Sequence, residues 1–317
     1  MLYEIVAFLL GLVLVVKGGD LFVGASLAIA KLLRIPPMVI GATLVSLATT
    51  TPELVVSVTA SVRGDSGIAV GNAIGSCIAN IGLVIGTVAL ITPVAVNLSD
   101  FRRRTRWMVI AGVLVMLFSW NHTIDRLSGI MLLMFAAAYL YGDYRHIRAR
   151  RTVATAEDGA TIESAGLTIG WFLIGVLLIL AGSHLLVTSG IKLAEALGVS
   201  SAVIGLSVIA IGTSLPELTT GIAAAQKGQP ELSIGNIIGA NILNLGLIIG
   251  MSGAIRPLTL ASVTQSYSYP WLAVFFAASI LLMGRRGIMT RPCGFLLLGL
   301  YVVYLAGLVV APAYLGN

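Results

Sequence analysis

The sequence predicts an all-α integral membrane protein of ten transmembrane helices arranged as two inverted five-helix repeats. Three observations lead there. Of 317 residues, 58% are hydrophobic and only 10% are charged, against roughly 25% charged in soluble domains. The apolar residues fall in long continuous runs rich in Leu, Ala, Gly and Ile, not in the short alternating segments of an outer-membrane barrel. Finally, the chain matches itself without a gap at an offset of 164 residues.

Apolar runs of membrane length are expected at 4–30, 37–62, 68–93, 107–121, 124–144, 166–197, 201–226, 232–255, 269–284 and 293–315, with no soluble domain among them. The first run lacks a basic start and a small-residue cleavage site, so it reads as a permanent helix and not as a signal peptide. The expected domains are a first five-helix repeat over 1–148, a cytoplasmic linker over 149–165 and a second repeat over 166–317. The linker is polar and mixed in charge, and Glu157, Asp158 and Glu163 lack the spacing of an EF-hand loop.

Cys77 and Cys293 are the only cysteines, both in apolar segments, which argues against a disulfide framework or a thiolate metal site. The formal charge of +6 is scattered over short loops, so it reports topology and not a nucleic-acid partner. With ten spans and the amino terminus outside, fourteen of the Lys and Arg residues fall on the cytoplasmic side and four (Arg63, Arg126, Lys192, Arg256) on the other. Lys17 lies within the first span. The positive-inside rule therefore predicts a multi-pass protein of the cell (inner) membrane with both termini extracytoplasmic.

The first helix carries Lys17 and Asp20 one turn apart, which reads as an internal ion pair or a snorkelling lysine. Their repeat counterparts are Ala181 and His184, and His184 is expected to be a hydrogen-bonded interior histidine. The second helix contains TTTPE and the seventh TSLPE, so Pro52–Glu53 recurs as Pro216–Glu217. An intramembrane carboxylate and a helix-breaking proline each cost free energy, and their duplication points to a cation site. Proline removes a backbone donor and clashes with the preceding turn, so carbonyls near Ser46 to Thr49 are expected to leave the helix ladder. Ser46, Thr49 or Thr50, Glu53 and Ser57 form one polar stripe, matched by Ala210, Thr213 or Ser214, and Glu217.

The third helix aligns Asn72, Ser76 and Asn80 on one face, and the eighth aligns Asn236, Ala240 and Asn244. Asn72 and Asn236 read either as ties between helices or as part of the site, whereas the oxygens of Asn80 and Asn244 could complete it with the glutamates. Gly71, Gly75, Gly82 and Gly86 read as packing devices. The fourth, fifth, ninth and tenth segments form a supporting layer. An odd number of spans per repeat turns the second unit upside down, and such inverted repeats place a shared site at the midplane.

The predicted donor set is all oxygen. It suits hard cations, and Ca²⁺, with six to eight oxygens in flexible geometry, fits better than Mg²⁺. Two ionised glutamates would leave an empty site with two uncompensated charges in low dielectric, so only a loaded carrier should reorient. No cofactor and no protein partner is implied.

The stretches GATLVSLATTTPE with GNAIGSCIAN, and GLSVIAIGTSLPE with GNIIGANILN, resemble the two alpha repeats of the sodium/calcium exchanger family, of the prokaryotic type, within the cation/calcium exchanger superfamily. The resemblance covers essentially the whole chain. It implies a membrane antiporter that exchanges Na⁺ for Ca²⁺, with helices two, three, seven and eight forming the site and the two leading helices sliding across it. It makes Glu53 and Glu217 the shared carboxylates, and Thr49, Thr50, Thr213 and Ser214 hydroxyl or carbonyl ligands. The main-chain oxygens of Ser46 and Ala210, the Ser76 hydroxyl and the Asn80 amide complete the set. Ala240 stands where the family commonly has serine, Asn244 where several relatives have aspartate, and Ala48 and Thr50 replace the glycine and serine of the usual motif. The physical argument equally allows a Ca²⁺/H⁺ antiporter and, with less support, a passive cation channel. No catalytic constellation suggests an enzyme.

Overall fold

A computed structural model describes residues 2–151, 162–196, 210–284 and 287–315. Helix α1 (Leu2–Leu33) stops before Pro36 and Pro37, which cannot continue its hydrogen-bond ladder. Helix α2 (Pro37–Thr49) starts on Pro37 and contains a π-helical turn over Gly41–Val45. A bend of 44° separates it from α3 (Thr51–Arg63). The bend falls where Pro52 lacks an N–H. Gly64, at φ +89, closes α3 in the left-handed conformation that glycine tolerates. Asp65 then caps α4 (Ser66–Ile91), accepting from the Ile68 amide at 2.9 Å.

Strand β1 (Val94–Ala95), helix α5 (Leu98–Phe118), strand β2 (Thr123–Ile124) and helix α6 (Arg126–Arg151) follow. After them come α7 (Ile162–Ala196), the short α8 (Ala210–Thr213), α9 (Leu215–Gln226), α10 (Pro230–Ile255), β3 (Leu258–Thr259), α11 (Thr264–Met283), β4 (Ile288–Met289) and α12 (Arg291–Leu315). Shifted by 164 residues, the bounds of α4 become those of α10. The π-helical turn of α4, starting at Asn80, falls on that of α10, starting at Asn244.

Among the described residues, seven helices are long and apolar enough to cross a membrane, or eight if the bent α2–α3 pair counts as one span. The expected span at 107–121 differs in its bounds: α5 begins at Leu98 and ends at Phe118. Its first turns hold Arg102, Arg103, Arg104 and Arg106, so it falls short of the hydropathy of the seven. Arg104 is carried inside the protein because Asp143 of α6 meets it at 2.9 Å and 3.0 Å. Helix α6 continues to Arg151 and α7 starts at Ile162, so both helices reach into the segment expected to link the repeats. Residues 152–161 and 201–209, the latter opening the expected seventh span, lie outside the described residues.

Helix α10 is the centre of the fold, with 94% of its apolar window buried, and α4 follows with 72%, against 33% for α1 and α7. The outer helices instead expose Leu9, Val13, Leu173, Leu177, Phe295 and Val302, an apolar surface suited to lipid. Two antiparallel bridges tie loops at the bundle ends: β1 pairs with β4, and β2 with β3.

Glycines set two close helix contacts. A Cβ on Gly18 would lie 2.8 Å from the Ile179 amide, and one on Gly11 would lie 2.9 Å from the Gly182 carbonyl, so α1 and α7 touch backbone to backbone. Gly41 and Gly235 do the same for α2 and α10. Of the four glycines read as packing devices, Gly82 and Gly86 fit tightly against α11 and α12. Among the described residues nothing lies within 4 Å of a Cβ on Gly71 or Gly75.

The ion-pair alternative for Lys17, though not the snorkelling one, and the interior placement of His184 are corrected. Asp20 pairs with Lys227, in the turn after α9, at 2.5 Å, and not with Lys17. His184 is exposed on α7, because α7 turns its small residues Gly175 and Gly182 toward α1 and leaves His184 outward.

Candidate functional site

The break at Thr50 creates a new helix start inside the apolar interior. Pro52 takes the early helical position where a missing N–H costs nothing, and Glu53 sits in the first turn of α3, next to the positive end of its dipole. The second half repeats this, with Ser214 before α9, Pro216 in its first positions and Glu217 in its first turn. Both glutamates are completely buried, and Glu53 feels the charge of Glu217.

Their oxygens are poorly satisfied. Glu53 Oε1 accepts from the Ser76 hydroxyl at a long 3.4 Å. Glu53 Oε2 and both Glu217 oxygens have no hydrogen-bond partner among the described residues. An unpaired buried carboxylate costs several kcal/mol (roughly, after relaxation), so a site of this kind calls for a cation or a proton.

The carbonyls around the break behave differently from the sequence expectation. The Ser46 carbonyl accepts from the Thr50 amide at 3.0 Å and also from the Thr50 hydroxyl. The Leu47 carbonyl accepts from the Thr51 hydroxyl at 3.1 Å. Threonine side chains thus fold back onto the turn before the proline, but the carbonyl that Pro52 leaves without its ladder donor is that of Ala48, four residues back. A cation at Ser46 would have to displace the Thr50 hydroxyl or bind beside it. In the second half the hydroxyl of Ser214, at the position of Thr50, has no such partner among the described residues.

Amides connect the halves. Thr49 donates to Asn236 Oδ1 at 3.1 Å, and Thr213 to Asn72 Oδ1 at 3.2 Å. Asn72 is further held through its Nδ2, which donates to the Glu53 carbonyl at 3.2 Å and to Ser57 Oγ at 3.0 Å. Asn72 and Asn236 are therefore ties between helices. The Thr49 side chain also lies beside the Glu217 carboxylate, but its single proton goes to Asn236.

Asn80, one turn beyond Ser76, is fully buried, and its Nδ2 donates to Asn241 Oδ1 at 3.0 Å. Its own Oδ1 has no partner among the described residues, and neither amide atom of Asn244 has one. A small pocket beside Thr49 and Pro216 is lined by Phe22 of α1 and Val176, Ile179 and Leu180 of α7.

The structure thus buries Ser46, Thr49, Thr50, Glu53, Ser76 and Asn80 of the first half, and Thr213, Ser214, Glu217 and Asn244 of the second. It joins Ser76 to Glu53 directly and ties Thr49 and Thr213 to asparagines of the opposite half. Ala210 is placed by its backbone at the start of α8. Asn241, fully buried, was not singled out in the sequence. Its signal was there: the repeat puts Cys77 opposite it, so a lone amide breaks the symmetry of an apolar face.

The profile of the family described as sodium/calcium exchanger protein matches residues 3–144 and 167–310, nearly the whole of both repeats. The chain belongs to the sodium/calcium exchanger family. The inner membrane protein YrbG of Escherichia coli is 34% identical over 96% of this chain and 97% of its own length. The sodium/calcium exchanger MaX1 of Methanosarcina acetivorans is 31% identical over 94% and 96%. Among solved structures, the sodium-calcium exchanger NCX_Mj superposes with a TM-score of 0.82 at 30% identity, covering 96% of this chain and 98% of that one. Members of the sodium/calcium exchanger family are membrane ion transporters and not enzymes, and the membrane-length helices here agree with that.

Proposed function

We propose that this chain is a secondary antiporter that exchanges Na⁺ for Ca²⁺ by alternating access at a midplane site between Glu53 and Glu217. The observation that carries the reading is the pair of fully buried glutamates with three carboxylate oxygens lacking hydrogen-bond partners among the described residues. Thr49, Thr50, Thr213, Ser214, Ser76, Asn80 and Asn244 supply further side-chain oxygens, and Ser46 and Ala210 supply main-chain ones. The names of MaX1 and NCX_Mj support Na⁺ and Ca²⁺ as the transported ions.

The mechanism follows from charge. One Ca²⁺ or two or more Na⁺ would neutralise the two carboxylates, and the bare site would hold two negative charges in low dielectric. Reorientation is therefore open only to the loaded protein, which makes exchange obligatory. The glycine-packed α1–α7 pair, which lines the pocket beside Thr49 and Pro216, is suited to move as one unit across the site.

The architecture is read as ten spans in two inverted repeats, 1–148 and 166–317, joined by a cytoplasmic linker, with both termini outside the inner membrane. The repeat-related bounds of α4 and α10 support this. So do the bridges, since β1 with β4 and β2 with β3 each join loops assigned to one side.

The test is ⁴⁵Ca²⁺ flux in proteoliposomes with an imposed Na⁺, H⁺ or K⁺ gradient. Na⁺-driven accumulation is expected. Accumulation driven only by H⁺ would replace the reading with Ca²⁺/H⁺ exchange, and equal flux without any exchangeable ion would make the protein a channel.

A further inference from the structure

We propose that Asn241 is a positioning residue that decides which end of the Asn80 amide faces the transported cation. The inference deepens the proposed site and rests on Asn80 being one of its ligands. An asparagine offers a cation an oxygen at one end and a repelling NH₂ at the other, so a ligand amide must be held against a flip.

The hold begins at a fixed atom. The Cys77 carbonyl belongs to the main chain of α4 and can only accept. The Asn241 amide faces it at 3.4 Å, so the atom presented must be the donor Nδ2, which also approaches Met108 Sδ at 3.7 Å. That leaves Asn241 Oδ1 directed at Asn80. Asn80 must answer with its own Nδ2, which it does at 3.0 Å. The Asn80 Oδ1 is thereby turned away from both, fully buried and without a hydrogen-bond partner among the described residues. One backbone carbonyl fixes two amides in series.

The other half cannot do this. The residue related to Asn241 by the 164-residue repeat is Cys77 itself, whose thiol donates to the Asn241 carbonyl at 3.7 Å. A thiol is a weak donor and a weak acceptor and does not tell the two ends of an amide apart. Asn244 accordingly has neither amide atom bonded among the described residues. The site thus combines one amide oxygen fixed in advance with one amide free to choose its end, although the two asparagines occupy matching positions.

The experiment measures Ca²⁺ KM and maximal flux in proteoliposomes of the full chain, with Ca²⁺ titration of the purified protein in lipid nanodiscs. Asn241→Leu removes the acceptor and should raise the Ca²⁺ KM by about tenfold or more while maximal flux stays within about twofold. Asn241→Thr should hold KM within about threefold, because its hydroxyl can donate to Cys77 and accept from Asn80. In an Asn80→Asp background a carboxylate has oxygen at both ends, so Asn241→Leu should raise KM no further. A purely structural role would lower the flux in both backgrounds alike.

An unchanged KM in Asn241→Leu, or an equal rise in both backgrounds, overturns the proposal. Asn241→Ala removes the same acceptor without added bulk and carries the comparison if the leucine variant does not fold. Glu53→Gln separates the two levels of the argument. If it abolishes Ca²⁺ binding while Asn241→Leu changes nothing, the positioning role alone is lost; if it leaves Ca²⁺ binding intact, the site itself is misplaced.

Discussion

The Thr49 hydroxyl donates to Asn236 Oδ1 at 3.1 Å, and the same relationship recurs with the halves exchanged, from Thr213 to Asn72 at 3.2 Å. Each threonine donates its hydroxyl proton to an amide of the opposite half. The two crossings differ in what stands behind them. Asn72 Nδ2 is anchored by Ser57 and the Glu53 carbonyl, whereas Asn236 Nδ2 has no partner among the described residues. The residue that would anchor it, at the position matching Ser57, is Gly221.

Asn72 should therefore matter more to the fold than Asn236. Asn72→Ala removes three hydrogen bonds and leaves Ser57 and Thr213 with lost partners, at a cost of about 3 kcal/mol, whereas Asn236→Ala should cost about 1 kcal/mol. Thermal-denaturation midpoints in detergent should rank wild type, Asn236→Ala and Asn72→Ala in descending order. Equal midpoints for the two variants would show that the anchoring is not felt.

Glu53→Gln and Glu217→Gln should each lower Ca²⁺ flux by about a hundredfold or more, since each leaves one charge where a divalent cation needs two. The variants should be at least as stable as the parent without ions, because a buried amide costs less than a buried charge. Near-normal flux in both would mean that the transported cation binds elsewhere.

The positions of the carboxylates were legible because their cost is local: Pro and Glu in an apolar run need a reason that the sequence itself displays, and the repeat displayed it twice. Features set by distant partners were not. Asp143 lies some forty residues from Arg104, so the early start of α5 could not be read from its arginines. The Asp20–Lys227 pair lay hidden behind the nearer Lys17. Even the break at Pro52 was half legible, since proline has no N–H for the Ala48 carbonyl, whereas the Ser46 carbonyl keeps both the Thr50 amide and the Thr50 hydroxyl. Asn241 escaped because its role is to orient another side chain, and that shows only when both amides are placed.

Arg104 and Asp143 form a buried pair in which both side chains are fully inaccessible, with Arg103 also bonded to Asp143. Removing Asp143 strands the buried Arg104 charge, so Asp143→Ala should cost about 3 to 5 kcal/mol, whereas Arg104→Ala leaves Asp143 its pair with Arg103 and should cost less. The double replacement Arg104→Met with Asp143→Leu should recover most of that loss, because the more exposed Arg103 can turn outward. Thermal midpoints of the three variants check this; a double variant no better than the worse single one would show that the pair is worth more than its packing volume.

The contacts of the fold sort the helix ends into two sets, and the proposed topology assigns one of them to the outside. Ser61 donates to the Ser252 carbonyl at 2.8 Å, Gly64 lies against Arg256, and Lys192 meets Glu4 at 3.0 Å, all at ends assigned to the outside. The β1–β4 bridge lies at ends assigned to the cytoplasm. Arg63 and Arg102 are both exposed and fall on opposite sides of this scheme. In a Cys293→Ser background, with Cys77 shielded by burial, Arg63→Cys should react with a membrane-impermeant thiol reagent on intact cells. Arg102→Cys should react only after the membrane is opened. The reverse pattern would turn the proposed topology over.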